Sequence, residues 1–209
     1  MEEVMSSRHL FLTSGGLTEE MKHSFFQITG KRPEAVKLLF IPTAAIETDG
    51  AREGIIVCLH ELLLMGLRSE NIFVYNLELI LSKGYERTYS AYVTDEHIVS
   101  RLMSTEELKG FDAVFVGGGN LAVLCREMVR TGFGPVMKQA VDAGLAYVGI
   151  SAGSMYAAGN LADGLNIIPN PIIPHWEGDR SISLPIDGGE IRLADGQAVY
   201  IEDHTVCLI

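Results

Sequence analysis

Short apolar runs alternate along the chain with stretches whose apolar positions recur at helical spacing, which predicts βα units on a mainly parallel sheet. His9–Thr13 reads as the first strand, stopped by Ser14-Gly15-Gly16. Thr18 can cap the helix that follows as far as Ile28, and Glu19 and Glu20 suit its positive end. Val36–Ile41 is the second strand, closed by Pro42; a helix covers Arg52–Met65 and stops at Gly66; Asn71–Tyr75 makes a third strand. Tyr89–Val93 reads as a short strand, or as a loop leading into a helix over Asp95–Met103. Ala113–Val116 is a strand that ends abruptly in Gly117-Gly118-Gly119-Asn120, and helices follow over Leu121–Arg130 and Pro135–Ala143. Leu145–Ile150 is the strand leading into Ser151. After Gly164 the pattern changes to short strands broken by prolines and glycines, and Gln197–Ile201 with Thr205–Leu208 reads as a C-terminal β-hairpin. That hairpin either pairs antiparallel at one edge of the sheet or lies over its end. The expected fold is α/β: a three-layer, doubly wound, mostly parallel sheet flanked by helices, in one domain spanning residues 1–209, since no repeat or linker divides the chain.

Composition narrows the function. Hydrophobic residues make up 47% of the 209 positions, enough for a sizeable core. A formal net charge of -11 with no Arg/Lys cluster argues against a nucleic-acid partner. No uncharged apolar run approaches the roughly 20 residues of a bilayer crossing, so no membrane partner is expected. Arg8 and His9 precede only a short apolar run, which is unlike a secretory signal. Cys58, Cys125 and Cys207 lie far apart without CxxC spacing, which fits a reducing compartment and makes the cytoplasm the default. HxH, HExxH and paired Cys/His spacings are absent, so neither metal nor cofactor is expected, although His175, Glu177 and Asp179 could be drawn as a cluster.

The chemistry concentrates around Ser151. Gly149-Ile150-Ser151-Ala152-Gly153 has the spacing of a nucleophile elbow, a strained strand-to-helix turn that presents a hydroxyl. Gly149 and Gly153 remove side chains that would clash where strand, bend and helix crowd together. The Ala152 amide and the exposed backbone of Gly117, Gly118 and Gly119 could face one carbonyl oxygen as an oxyanion hole. The glycine run lacks the later Gly of GxGxxG and the Lys of a phosphate loop. A serine nucleophile needs a base. His9, His23, His60, His97 and His204 read as surface or structural, whereas His175 follows an apolar strand, Ile172-Ile173-Pro174, and precedes Trp176. The carboxylate partner stays open among Asp163, Glu177, Asp179, Asp187, Glu190 and Asp195. Asn120, Ser154 and Trp176 are candidate pocket residues.

Taken together, Phe115–Asn120, Gly149–Ser154 and Pro174-His175-Trp176 resemble the peptidase E family of serine peptidases. Phe40–Ala45 and Leu193–Ala198 also look like its framework, so the resemblance covers nearly the whole chain. It implies a fold like that of class I glutamine amidotransferases with serine in place of the cysteine nucleophile, and no metal or organic cofactor. By that likeness Ser151 is the nucleophile, His175 the base, and Ala152 with a glycine of the 117–119 turn the oxyanion hole. The implied substrates are small peptides, among them dipeptides with an N-terminal Asp; a monomer or homodimer is expected, without the resemblance deciding which. The stretch between Ser151 and His175 is shorter than relatives usually have. Asp163, in the shortened bridge Asn160–Gly164, is the expected third residue, with a tail carboxylate as the other choice. Arg126, Arg130 and Arg180 are candidates for gripping an aspartyl side chain. An esterase-type acyl hydrolase, or a weakly active homologue that serves as a binding protein, are the alternatives.

Overall fold

The computed structural model describes residues 7–47, 50–80, 101–179, 188–203 and 205–209. Its main sheet has the order β3-β2-β4-β5-β1-β8-β9 among those residues. The strands are β1 (His9–Thr13), β2 (Leu38–Ile41), β3 (Ile72–Val74), β4 (Ala113–Val116), β5 (Ala146–Ile150), β8 (Ala198–Glu202) and β9 (Thr205–Leu208). The first five pair in parallel, and β8 joins antiparallel to β1 and β9. The terminal hairpin therefore extends the sheet at its β1 side. The interior strands β2, β4 and β5 are buried along their whole length, as strands covered on both faces must be.

Two apolar layers follow from the period-2 alternation of these runs. Phe11, Leu38, Phe40, Phe115 and Val148 point to one face, where Met21 and Phe25 of α1 (Glu19–Thr29) and Leu62 of α2 (Ala51–Leu64) cover them. Leu10, Leu12, Leu39, Val114, Val116 and Tyr147 point to the other. There they meet Leu124 and Met128 of α4 (Leu121–Thr131), Met137 of α5 (Phe133–Asp142) and Tyr156 of α6 (Ala152–Ala157). The result is the three-layer α/β architecture that the alternation predicts.

The differences in detail have local causes. β2 starts two residues later than its apolar run, because the turn at Pro33–Ala35 takes the Val36 N–H onto the Pro33 carbonyl at 3.2 Å. α5 begins at Phe133, ahead of Pro135, since a proline lacks only an N–H that the first turn leaves unpaired anyway. The expected strand at Tyr89–Val93 lies outside the described residues, as does Asp95–Ser100 of the helix expected over Asp95–Met103. Leu102 and Met103 are not helical. Instead a short helix, α3 (Thr105–Leu108), starts just beyond them, held by a reciprocal Ser104–Glu107 capping box.

The parallel register lines up the strand ends. Thr13 lies opposite Ile150, Val116 opposite Gly149, and Ile41 opposite Val116. The segments that leave these strands, beginning at Ser14, Pro42, Gly117 and Ser151, emerge together at the C-terminal edge, where open α/β sheets bind ligands. A second, two-stranded sheet pairs β6 (Ile172–Ile173) in parallel with β7 (Ile191–Arg192).

Candidate active site

Ser151 occupies the turn between β5 and α6 with φ 48 and ψ -106, a region costly for a residue with a side chain. Two close approaches hold that turn. A Cβ on Gly153 would sit 2.2 Å from the Val116 carbonyl oxygen, and one on Gly149 would sit 2.7 Å from the Ser154 amide. Only glycine lets α6 rest this tightly on the strand ends. Ser154 then ties α6 to β1: its buried Oγ accepts the Thr13 N–H at 3.0 Å and lies 2.8 Å from the Thr13 carbonyl oxygen.

His175 reaches Ser151 from the small sheet. The Leu193 N–H donates to Ile173 at 2.9 Å, and the Trp176 N–H donates to Leu193 at 3.0 Å, so the chain leaving β6 runs beside the chain leaving β7. The Asn160 side chain clasps Ile172, its Nδ2 donating to the carbonyl at 2.8 Å and its Oδ1 accepting the N–H at 2.9 Å, which anchors β6 near the exit of α6. His175 itself has φ 56. Its Nε2 lies 2.9 Å from Ser151 Oγ and its Nδ1 lies 2.8 Å from Asp195 Oδ1. An ionised carboxylate only accepts, so the ring proton sits on Nδ1 and Nε2 is left to accept from the serine hydroxyl.

Ser14, fully buried at the end of β1, completes the arrangement. Its Oγ accepts the His175 N–H at 2.7 Å and donates to Asp195 Oδ1 at 2.9 Å. A Cβ on Gly15 would lie 2.9 Å from that same carboxylate oxygen, so the glycine makes room for it. Neither residue stood out in the sequence beyond marking a strand end.

The carboxylate on His175 is Asp195, and this corrects the expectation of Asp163. Asp163 lines a separate hollow beside Met128, Lys138 and Tyr156. The cause is local: Asn166 at φ 48 turns its amide onto the carbonyls of Leu161 and Gly164 at 3.0 and 3.2 Å, while Leu165 and Ile167 bond back to Tyr156 and Ala157. The short bridge folds onto α6, away from the imidazole. The register of β6 and β7 supplies the carboxylate instead, and sequence order conceals that pairing.

The other candidates divide. Gly118 lies against Ser151, a Cβ there being 3.3 Å from the serine Cβ. The Gly117 N–H is spent on Ile41 at 3.0 Å, whereas those of Gly118 and Gly119 make no hydrogen bond among the described residues. Ala152 is the first residue of α6, where an N–H has no partner within the helix. Asn120 caps α4, its Oδ1 accepting from Ala122 at 2.9 Å. Trp176 turns its indole N–H to the Asp179 carbonyl at 3.2 Å and carries the Arg192 guanidinium 4.4 Å above its ring. Asn120, Ser154 and Trp176 are absent from the walls of the hollow over Ser151.

That hollow has a volume of about 290 Å³ and is walled by Phe40, Ile55, Cys58, Glu61 and Ile150, with Ser151, His175 and the 117–119 glycines at one side. Arg126 and Arg130 do not reach it. Arg126 is tied to Glu47 and Glu127, and Arg130 to Glu127 and the carbonyls of Leu77 and Ile80. Arg180 lies outside the described residues. Among the described residues, no group of His, Cys, Asp and Glu is arranged to hold a metal ion, and no helix is long and apolar enough to cross a membrane.

The fold defines the class first: an α/β protein with its site at the C-terminal edge of a mostly parallel sheet. Residues 94–209 match the model of Peptidase family S51, and the chain belongs to that family. It is 38% identical to a peptidase E of Streptomyces coelicolor over 31% of this chain and 32% of the relative. It is 39% identical to an uncharacterized peptidase of Pasteurella multocida over 27% of this chain and 28% of the relative. The matched stretches thus span about a third or less of these relatives' own length. A crystal structure of a "Putative Peptidase E Protein" from Listeria monocytogenes EGD-e has the same fold at 21% identity, with a TM-score of 0.66 and 98% of each chain covered. A peptidase from an acI-B1 Actinobacterium superposes with a TM-score of 0.61 at 17% identity, covering 98% of this chain and 87% of its own.

Proposed function

We propose that this protein is a serine-type peptidase that hydrolyses small peptides through an acyl-enzyme on Ser151. The observation that carries the reading is the continuous chain of contacts from Ser151 Oγ to His175 Nε2 at 2.9 Å and from His175 Nδ1 to Asp195 at 2.8 Å. Ser151 Oγ attacks the scissile carbonyl while Nε2 takes its proton. Asp195 stabilises the imidazolium that results. The oxyanion is met by the N–H of Ala152 and that of Gly118 or Gly119, groups that spend no hydrogen bond among the described residues. Collapse of the tetrahedral intermediate expels the amine, which leaves with the proton from Nε2, and Ser151 keeps the acyl group as an ester. Water, deprotonated by the same nitrogen, attacks that ester and releases the acid. The limited volume of the hollow favours short peptides over folded proteins. Dipeptides with an N-terminal Asp belong to the substrates that the family resemblance suggests.

The test is hydrolysis of a short-peptide library by the wild type beside Ser151→Ala, with labelling by a small serine-directed phosphonate. Hydrolysis and a phosphonyl mass adduct are expected in the wild type and neither in the variant. Full activity in purified Ser151→Ala would refute the mechanism.

A further inference from the structure

The hollow over Ser151 holds a charge of one sign. Glu61, on the α2 wall, is half-buried there, and among the described residues no Lys, Arg or His forms an ion pair with it. Among the described residues its carboxylate accepts a single, long hydrogen bond, from the Leu17 N–H to Oε2 at 3.4 Å. One turn earlier on the same helix, Cys58 faces the same space. Burial, followed by the charge of Glu61, pushes its thiol up to about 11, so it stays protonated at neutral pH and adds no second anion. Away from the side that carries Ser14, Ser151 and His175, the walls include the apolar side chains of Phe40, Ile55 and Ile150. A carboxylate placed in a cleft with low-dielectric walls focuses its field into that cleft and attracts a cation of the ligand. An acidic ligand group would meet like charge there instead.

We infer that Glu61 is the specificity-determining residue of this hollow, taking a cationic group of the substrate and, against the N-terminal Asp that the family resemblance suggests, disfavouring an acidic N-terminal residue. The cation is an ammonium or guanidinium, either the free α-amino group of an N-terminal residue or a basic side chain. Phe40, Ile55 and Ile150 accept the uncharged part of the residue that carries it. The assignment rests on the peptidase reading for the meaning of "substrate", yet the binding itself is independent of hydrolysis.

The binding test therefore uses Ser151→Ala protein, in which no acyl-enzyme can form, with and without Glu61→Gln. The probes are leucinamide, lysinamide, aspartic acid amide and the N-acetyl forms of the first two, titrated by calorimetry. Leucinamide is expected to bind roughly 10- to 30-fold more tightly than its acetylated form, a charge pair in a partly wet cleft, and Glu61→Gln should erase that ratio. If the recognised cation is the basic side chain, acetyl-lysinamide keeps its advantage over acetyl-leucinamide until Glu61 is replaced. Equal affinities, tighter binding of aspartic acid amide, no binding of any probe, or ratios that survive Glu61→Gln would each overturn the assignment. Wild-type hydrolysis of Leu-Ala, Lys-Ala and Asp-Ala is measured alongside. Cleavage without cation selectivity sinks this inference alone, and cation selectivity without cleavage sinks the peptidase reading alone.

Discussion

Replacing Asp195 by Asn keeps the shape of the side chain and removes its charge, and so measures what the carboxylate does for His175. The two groups touch at 2.8 Å, yet the side chains of His175 and Asp195 are 55% and 68% exposed. For charge centres ~4 Å apart, the attraction is about 1 kcal/mol at the dielectric of water and about 4 kcal/mol at an effective value near 20. Such a half-solvated pair falls between these limits, which corresponds to about 5-fold to 10³-fold in rate, with about 10²-fold as the central expectation. This is smaller than the ~10⁴-fold loss seen where the orienting aspartate of a serine protease is buried. The Asn carbonyl can still accept from Nδ1–H and from Ser14 Oγ, so Asp195→Ala, which removes the acceptor too, should cost roughly ten-fold more. The assay is kcat/KM on a cleaved short peptide, with Tm recorded for each variant. High salt should narrow the gap between wild type and Asp195→Asn, because exposed charges are screened. Wild-type kcat/KM in both variants at unchanged Tm would refute the role given to Asp195.

Two further expectations follow from contacts around the site and the small helix. Ser14→Ala takes from the His175 N–H its 2.7 Å acceptor and from Asp195 the 2.9 Å hydroxyl donor, a loss of about 1–3 kcal/mol. As a positioning residue, Ser14 should affect kcat far more than KM, and a variant that lost only Tm with normal kcat would show the contact to be structural. At Glu107 the hydrogen bond from Arg101, and those from Ser104, hold the carboxyl at about 2, below its ordinary 4.5. A folded-state value below the unfolded one stabilises above the unfolded value and loses that contribution as pH falls through the folded one. The stability gap between wild type and Glu107→Gln, about 1 kcal/mol once exposure is discounted, should be steady above about pH 5 and gone near pH 2 in urea melts. A gap that grew on acidification would contradict this sign.

The hydrophobic pattern carried the fold a long way because a buried parallel strand is a continuous apolar run, and Leu38–Ile41, Ala113–Val116 and Ala146–Ile150 are all of that kind. Ser151 and the adjacent glycines were legible for a similar reason. The tight turn of the strand into α6 excludes side chains at Gly149 and Gly153, and such steric demands leave a local spacing in the chain. The apolar strand ahead of His175 marked that imidazole as well.

What the chain order could not reveal was which distant groups would meet. Asp195 reaches His175 through the β6–β7 register, Ser14 arrives from the end of β1, and Glu61 comes from a helix on another wall of the hollow. Asp163 is nearer in sequence but is turned away by the hydrogen bonds of Asn166. Periodicity and sterics act over a few residues and are written in order along the chain. Pairing register, and the convergence of segments at a sheet edge, depend on the packing of the whole molecule, so the tertiary structure alone decided the carboxylate, the buried serine and the charge of the cleft.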